Sequence, residues 1–237
     1  MTPTLSAIGF DADDTLWHNE SLFSVTQDRY RALLAPYQCA EWIDRTLYET
    51  EVRNLEYFGY GIKGFTLSMI ETAVEVTEGR ISGREIGQIL ELAKAMLHAP
   101  VDLLPGVLEV VPSLARAYPL ILITKGDLFD QESKLARSGI AEHFSHVEIV
   151  RDKDEAIYRT ILAKHGIDPQ RFLMVGNSLR SDILPVLAIG GHAVHVPYAI
   201  TWQHEAADAP DASTNGFYHL DSLLDLPALL ESLPEIA

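Results

Sequence analysis

Residues 5–10 form a short, nearly unbroken apolar run that stops at Asp11, the pattern of a strand buried on both faces. The same texture returns after Pro105 at 120–123, 147–150, 172–175 and 193–196. Between these runs the period lengthens to that of amphipathic helices at 106–118, 129–138, 154–164 and 181–188. Strands alternating with helices predict a parallel sheet covered on both faces.

One block breaks this alternation. From 21 to about 103 only helical periodicity is found. Leu22, Val25, Tyr30, Leu33 and Leu34 fall on one face, and Ile43, Leu47 and Tyr48 on the next. A third helix is expected over 65–77 with Thr66 as its N-cap. Ser82-Gly83-Arg84-Glu85 is a capping box that opens a fourth, running to about Leu97, and Pro100 and Pro105 close the block. The expected fold is therefore α/β: a Rossmann-like three-layer α/β/α core with a mostly parallel sheet, residues 1–16 and 105–237, interrupted by an all-helical cap, residues 17–104. A loop at 206–215 and a terminal helix within 220–233 complete the chain.

Composition narrows the function classes. Of 237 residues, 47% are hydrophobic and 22% charged, which is ordinary for a globular chain. The opening MTPTLSAIGF has neither a basic n-region nor a cleavage pattern, so no secretory signal is expected. Cys39 is the only cysteine, which excludes an internal disulfide and suits a reducing cytoplasm. No apolar run approaches the ~18 residues of a membrane span. The net charge of −16 would repel nucleic acid, and no basic cluster overrules it. An anionic substrate must be drawn in by a local positive site.

Ligands of open parallel sheets bind beyond the carboxyl ends of the strands. Asp11 and Asp13 follow the first strand; Thr124, Lys125 and Gly126 the second; Lys153 the third; Gly176, Asn177, Ser178 and, one turn on, Asp182 the fourth. Asp11, Asp13 and Asp182 are oxygen donors of the kind magnesium prefers, and Lys153 supplies a second positive charge. This accounts for three carboxylates, Asp11, Asp13 and Asp14, within four positions, which would otherwise repel one another.

Asp11-Ala12-Asp13-Asp14-Thr15, Thr124, Lys153 and Gly176-Asn177-Ser178-Leu179-Arg180-Ser181-Asp182 resemble, in order, the four motifs of the haloacid dehalogenase superfamily. The inserted helices resemble the cap of its phosphatase-rich branch. The resemblance implies a hydrolase in which Asp11 is the nucleophile and forms an aspartyl-phosphate. Asp13 would exchange protons with the leaving oxygen and with water, its carbonyl touching Mg2+. Thr124, with the amides near Lys125 and Gly126, would hold phosphoryl oxygens, and Lys153 would neutralise Asp11. Asn177 and Asp182 would complete the metal site with Asp11 and Asp13. Two positions depart from the family pattern: Asn177 stands where an acid is usual, and Asp154 follows Lys153 where proline is common.

The implied activity is a magnesium-dependent phosphatase of a small phosphorylated metabolite, with no oligomeric state indicated. A dehalogenase of the same superfamily would need no metal and would lack the acid at Asp13. A phosphonate hydrolase would need a cap lysine, for which Lys63 is the candidate. A phosphoacceptor or ligand-binding module with impaired catalysis is the non-enzymatic alternative, motivated by Asn177. Asp14 is expected to face solvent or cap the next turn, Thr15 to brace the loop, Arg180 to open a solvated helix, His18 to lie on a surface loop, and His192 and His195 to be structural.

Overall fold

The computed structural model describes residues 5–233. The chain divides into two compact units, residues 1–20 with 101–237, and 21–100. The boundary lies four residues inside the expected 16/17 and 104/105 at each junction, for a local reason. The two connecting segments pair with each other in the first unit: Trp17 bridges Leu103, Leu104 N donates to Leu16 O (2.9 Å) and His18 N to Asp102 O (2.9 Å).

The helical unit contains α1 (Glu20–Leu34, entered just before the boundary), α2 (Ala40–Phe58), α3 (Ile62–Val76) and α4 (Gly83–His98). Its own core gathers Tyr30, Leu34, Ile43, Leu47, Phe65, Met69 and Ile89. The capping box at Ser82 forms in full: Ser82 Oγ accepts from Glu85 N and Glu85 Oε2 accepts from Ser82 N. Thr66 is not an N-cap. Gly59 and Gly61, both at positive φ, turn the chain early, so α3 starts at Ile62 and the Thr66 hydroxyl donates back to Ile62 O (2.6 Å).

The other unit is built on one sheet of β1 (Ala7–Phe10), β2 (Leu120–Lys125), β3 (His146–Val150), β4 (Phe172–Gly176), β5 (His192–His195) and β6 (Phe217–His219), in the order β3-β2-β1-β4-β5-β6. Every neighbouring pair is parallel. Strand alternation sorts the side chains onto two faces. Ile8, Phe10, Leu120, Leu122, Leu173 and Val175 pack with α5 (Val107–Ala115), α6 (Leu128–Ser138) and a late helix that ends the described chain. Ala7, Ile121, Ile123, Phe172 and Met174 pack with α7 (Glu155–His165) and with Ile183 and Val186 of the segment after β4. Each fully buried Leu, Ile or Phe contributes about 1.5–3 kcal/mol, so a one-residue slip in register would be prohibitive.

Two elements differ from expectation. β6 has two half-buried residues and one exposed, too short for any period to register. The segment at 181–188 is a π-helical turn (Leu179–Ile183) followed by α8 (Leu184–Ala188). Pro185 has no N–H to give to the carbonyl four residues back, and that carbonyl, Ser181 O, instead accepts from Tyr158 OH (3.1 Å). After β6 the chain closes with a short 3₁₀ turn (Leu223–Asp225) and α9 (Leu226–Ser232). Among the described residues no helix is long and apolar enough to cross a membrane.

Candidate active site

Strand order reverses between β1 and β4, the crevice where open α/β sheets bind ligands. Asp11 leaves β1 there and Gly176 ends β4 beside it. The Lys153 ammonium, contributed from beyond β3, donates to Asp11 Oδ1 (2.5 Å) and to Asp182 Oδ1 (2.8 Å). All three groups are buried, Asp182 to 1% exposure and Lys153 to 4%. Their remaining oxygens are also placed: Thr15 Oγ1 donates to Asp11 Oδ2 (2.9 Å), and Ser178 N to Asp182 Oδ2 (3.0 Å).

Burial pushes the Asp11 carboxyl up to about 7, against the pull of Lys153 and with the push of Asp182. Burial also opposes the charge on Lys153, but the two carboxylates outweigh it and hold its pKa above the usual lysine range. One ammonium between two buried carboxylates leaves a negative charge without a partner in the triad.

Asn177 joins this group through Thr15. The single Thr15 hydroxyl hydrogen faces both Asp11 Oδ2 and Asn177 Oδ1 (3.2 Å), so one of these oxygens is always without it. Such a donor set, hard oxygens with excess negative charge, suits a magnesium ion. Among the described residues no three His, Cys, Asp or Glu side chains form a ready metal cage. Asp11, Asp182 and the Asn177 amide are the oxygen donors that meet here.

Asp13 is held apart from the triad. Its Oδ1 accepts from Trp17 Nε1 (2.7 Å) and Lys134 Nζ (3.0 Å), and its Oδ2 from Gln131 Nε2 (2.8 Å). Gln131 also reaches Thr124 Oγ1 (3.0 Å), so the two expected site residues Asp13 and Thr124 share one amide. Of the amides expected to hold phosphoryl oxygens, that of Gly126 is already engaged within the sheet edge, while the Lys125 side chain is paired elsewhere. The Lys125 ammonium turns to Glu205 Oε1 (2.5 Å) and Ser181 Oγ (2.8 Å), and Gly126 N donates to Val150 O (3.3 Å). Asp14 is buried, not solvent-facing, and caps the amides of Asn19 and Glu20 at the entry to α1. Arg180 donates to His204 O (2.6 Å), His18 pairs with Tyr198 OH (2.6 Å), and His195 Nε2 donates to Asn177 O (3.0 Å).

Glu205 was not foreseen, because it comes from the long segment after β5, where no period or motif marks it. Its carboxylate accepts from Lys125, Ser178 Oγ (2.7 Å) and Ser181 Oγ (2.6 Å). The π-helical turn lets both Ser181 and Asp182 face inward. Burial works against the Glu205 charge, but Lys125 and the two hydroxyls bring its pKa down to about 2. A depressed folded-state value contributes stability above the unfolded value, lost as pH falls toward the folded one. Glu205→Gln should therefore lower unfolding free energy by about 3 kcal/mol near pH 7. Urea titrations should show that gap narrowing below about pH 4.5 and closing toward about pH 2.

A family model described as haloacid dehalogenase-like hydrolase matches residues 5–190. The chain belongs to that family. As a haloacid dehalogenase-like hydrolase it is 41% identical to a haloacid dehalogenase-like family hydrolase from Xanthomonas campestris. That structure aligns over 96% of this chain and 91% of its own with a TM-score of 0.86. A predicted phosphoglycolate phosphatase from Haemophilus somnus shares the fold at 21% identity, with 97% and 99% covered and a TM-score of 0.64. A glyceraldehyde 3-phosphate phosphatase from Pyrococcus abyssi is 33% identical over 100 residues, 40% of this hydrolase and 42% of that protein. The match thus spans less than half the length of that relative.

Proposed function

We propose that this hydrolase is a magnesium-dependent phosphatase that cleaves a small phosphorylated metabolite through an aspartyl-phosphate. The observation that carries this reading is the single buried ammonium of Lys153 shared by Asp11 and Asp182, groups delivered from beyond three different strands. The carboxylate of Asp13, which a dehalogenase of this family would lack, favours the phosphatase over the dehalogenase. Similarity to a protein named glyceraldehyde 3-phosphate phosphatase points the same way.

Asp11 attacks phosphorus as the ester P–O bond breaks, and the departing alkoxide takes a proton from Asp13. Water then gives a proton to Asp13 and attacks the aspartyl-phosphate, releasing phosphate and restoring the Asp11 carboxylate. Lys153 and the Thr124 hydroxyl hold the phosphoryl oxygens, and Lys153 keeps the nucleophile in place. Bound at Asp11, Asp182, Asn177 and the Asp13 carbonyl, magnesium supplies charge neutralisation at the phosphoryl group. The substrate is a small phosphate ester met in a reducing cytoplasm.

A panel of phosphorylated metabolites, triose phosphates included, assayed for phosphate release is the test. Release in magnesium that EDTA removes and excess magnesium restores is expected. Halide release from 2-haloacids that EDTA leaves unchanged, with no phosphate release, would overturn the reading.

A further inference from the structure

Two buried polar side chains on α6 have no place in the reaction just described. Lys134 is 8% exposed and Gln131 2% exposed. A buried lysine contributes little to a core, and its desolvation is costly unless its ammonium is fully engaged. Here it is: Lys134 Nζ donates to Asp13 Oδ1 (3.0 Å) and Asn19 Oδ1 (2.8 Å), and it lies 3.4 Å from Asp130 Oδ2.

Gln131 is more telling. Its Nε2 has two hydrogens but three acceptors within reach: Asp13 Oδ2 (2.8 Å), Thr124 Oγ1 (3.0 Å) and Lys125 O (3.0 Å). Its Oε1 is buried with no hydrogen-bond partner among the described residues. Turning the amide over would offer Oε1 the Thr124 hydroxyl but would press an oxygen against the Asp13 carboxylate. The fold leaves one oxygen unsatisfied and keeps the NH₂ on Asp13 and Thr124. Because Thr124 Oγ1 accepts from Gln131, its own hydrogen stays available to a phosphoryl oxygen.

We infer that Gln131 and Lys134 are positioning residues for Asp13: with Trp17 they clamp both oxygens of its carboxylate, and Gln131 ties that carboxylate to the phosphoryl-binding hydroxyl of Thr124. One helix thereby sets the proton-exchanging group against the phosphoryl site. The inference rests on the phosphatase reading and on the acid–base role it gives Asp13. Neither α6 residue touches substrate; both act through Asp13.

The leaving group separates positioning from mere bracing. An alkoxide needs Asp13's proton to depart, whereas 2,4-dinitrophenolate departs without one. Single-turnover cleavage of glycerol phosphate and the dinitrophenolate burst from 2,4-dinitrophenyl phosphate both report Asp11 attack. Lys134→Met is expected to slow the first about 10²-fold, within the range for a positioned acid, while the burst stays within about threefold of wild type. Steady-state KM for glycerol phosphate should change little, so the loss falls on kcat. Gln131→Met should show the same selectivity, and it serves where Lys134→Met does not fold. Equal losses on both substrates, or none on either, in a folded variant overturn the inference. A wild-type enzyme that releases phosphate from neither ester nor from any member of the metabolite panel overturns the phosphatase reading itself, and this inference with it.

Discussion

Lys153→Met is expected to reduce kcat/KM for any phosphate ester by at least about 10³-fold and to destabilise the fold by about 3–5 kcal/mol. The two effects share one cause. Among the described residues Lys153 alone donates to both Asp11 and Asp182, and each of these carboxylates is almost wholly out of water. Removing it leaves two like charges facing each other without a counter-ion, which a low-dielectric site tolerates poorly. It also removes the charge that lets an anionic nucleophile approach an anionic ester. Companion variants divide the two losses. In Asp11→Asn the Lys153–Asp182 pair survives, so stability should stay within about 1 kcal/mol while turnover disappears. Lys153→Met combined with Asp182→Asn removes one unpaired charge and should regain part of the stability without regaining activity. Chemical denaturation and initial rates on the same samples check all three. Lys153→Met turning over within tenfold of wild type would remove the triad from the chemistry.

The core was legible because its signals are local. Buried parallel strands are short apolar runs, and 5–10, 120–123 and 172–175 stand out beside helices of clear period. The meeting of Asp11, Lys153 and Asp182 followed from topology: once the strands are parallel, whatever follows them lies at one edge. What escaped is non-local or backbone-made. The occupation of Lys125 by Glu205 depends on the course of a loop that carries no periodicity. Gln131 and Lys134 are three apart on a helix, which sequence shows, but their aim at Asp13 depends on how α6 sits under the sheet edge. The π-helical turn was hidden because period alone does not show that Pro185, five residues into 181–188, belongs to the first turn of a separate helix. Thr66 misled because a threonine before an apolar run fits a cap equally well as an interior residue bonding backward.

A single methyl group at the end of β4 should disturb the same triad, to a smaller extent than a lost charge. Gly176→Ala would place its Cβ 2.3 Å from Asp182 Oδ2 and 2.4 Å from its Cγ, far inside van der Waals contact. Gly176 does not have a positive φ, so the demand for glycine here comes from the close approach of the carboxylate, not from backbone strain. Asp182 cannot simply step aside. Its Oδ1 is bonded to Lys153 and its Oδ2 to Ser178 N, and it is 1% exposed, so a displacement pulls Lys153 away from Asp11 as well. A misplacement of about 1 Å in a reacting constellation costs on the order of 10²-fold. We expect that fall in kcat/KM, with about 1–3 kcal/mol of destabilisation from overpacking. Gly87→Ala is the matched control, since a Cβ there meets nothing within 4 Å in the middle of α4. It should stabilise that helix by up to about 1 kcal/mol and leave the kinetics alone. Rates and denaturation curves of the two alanine variants, measured together, isolate the contact at Asp182. Undiminished turnover in Gly176→Ala would mean that this carboxylate can move without consequence, and it could then no longer be counted among the groups that organise the site.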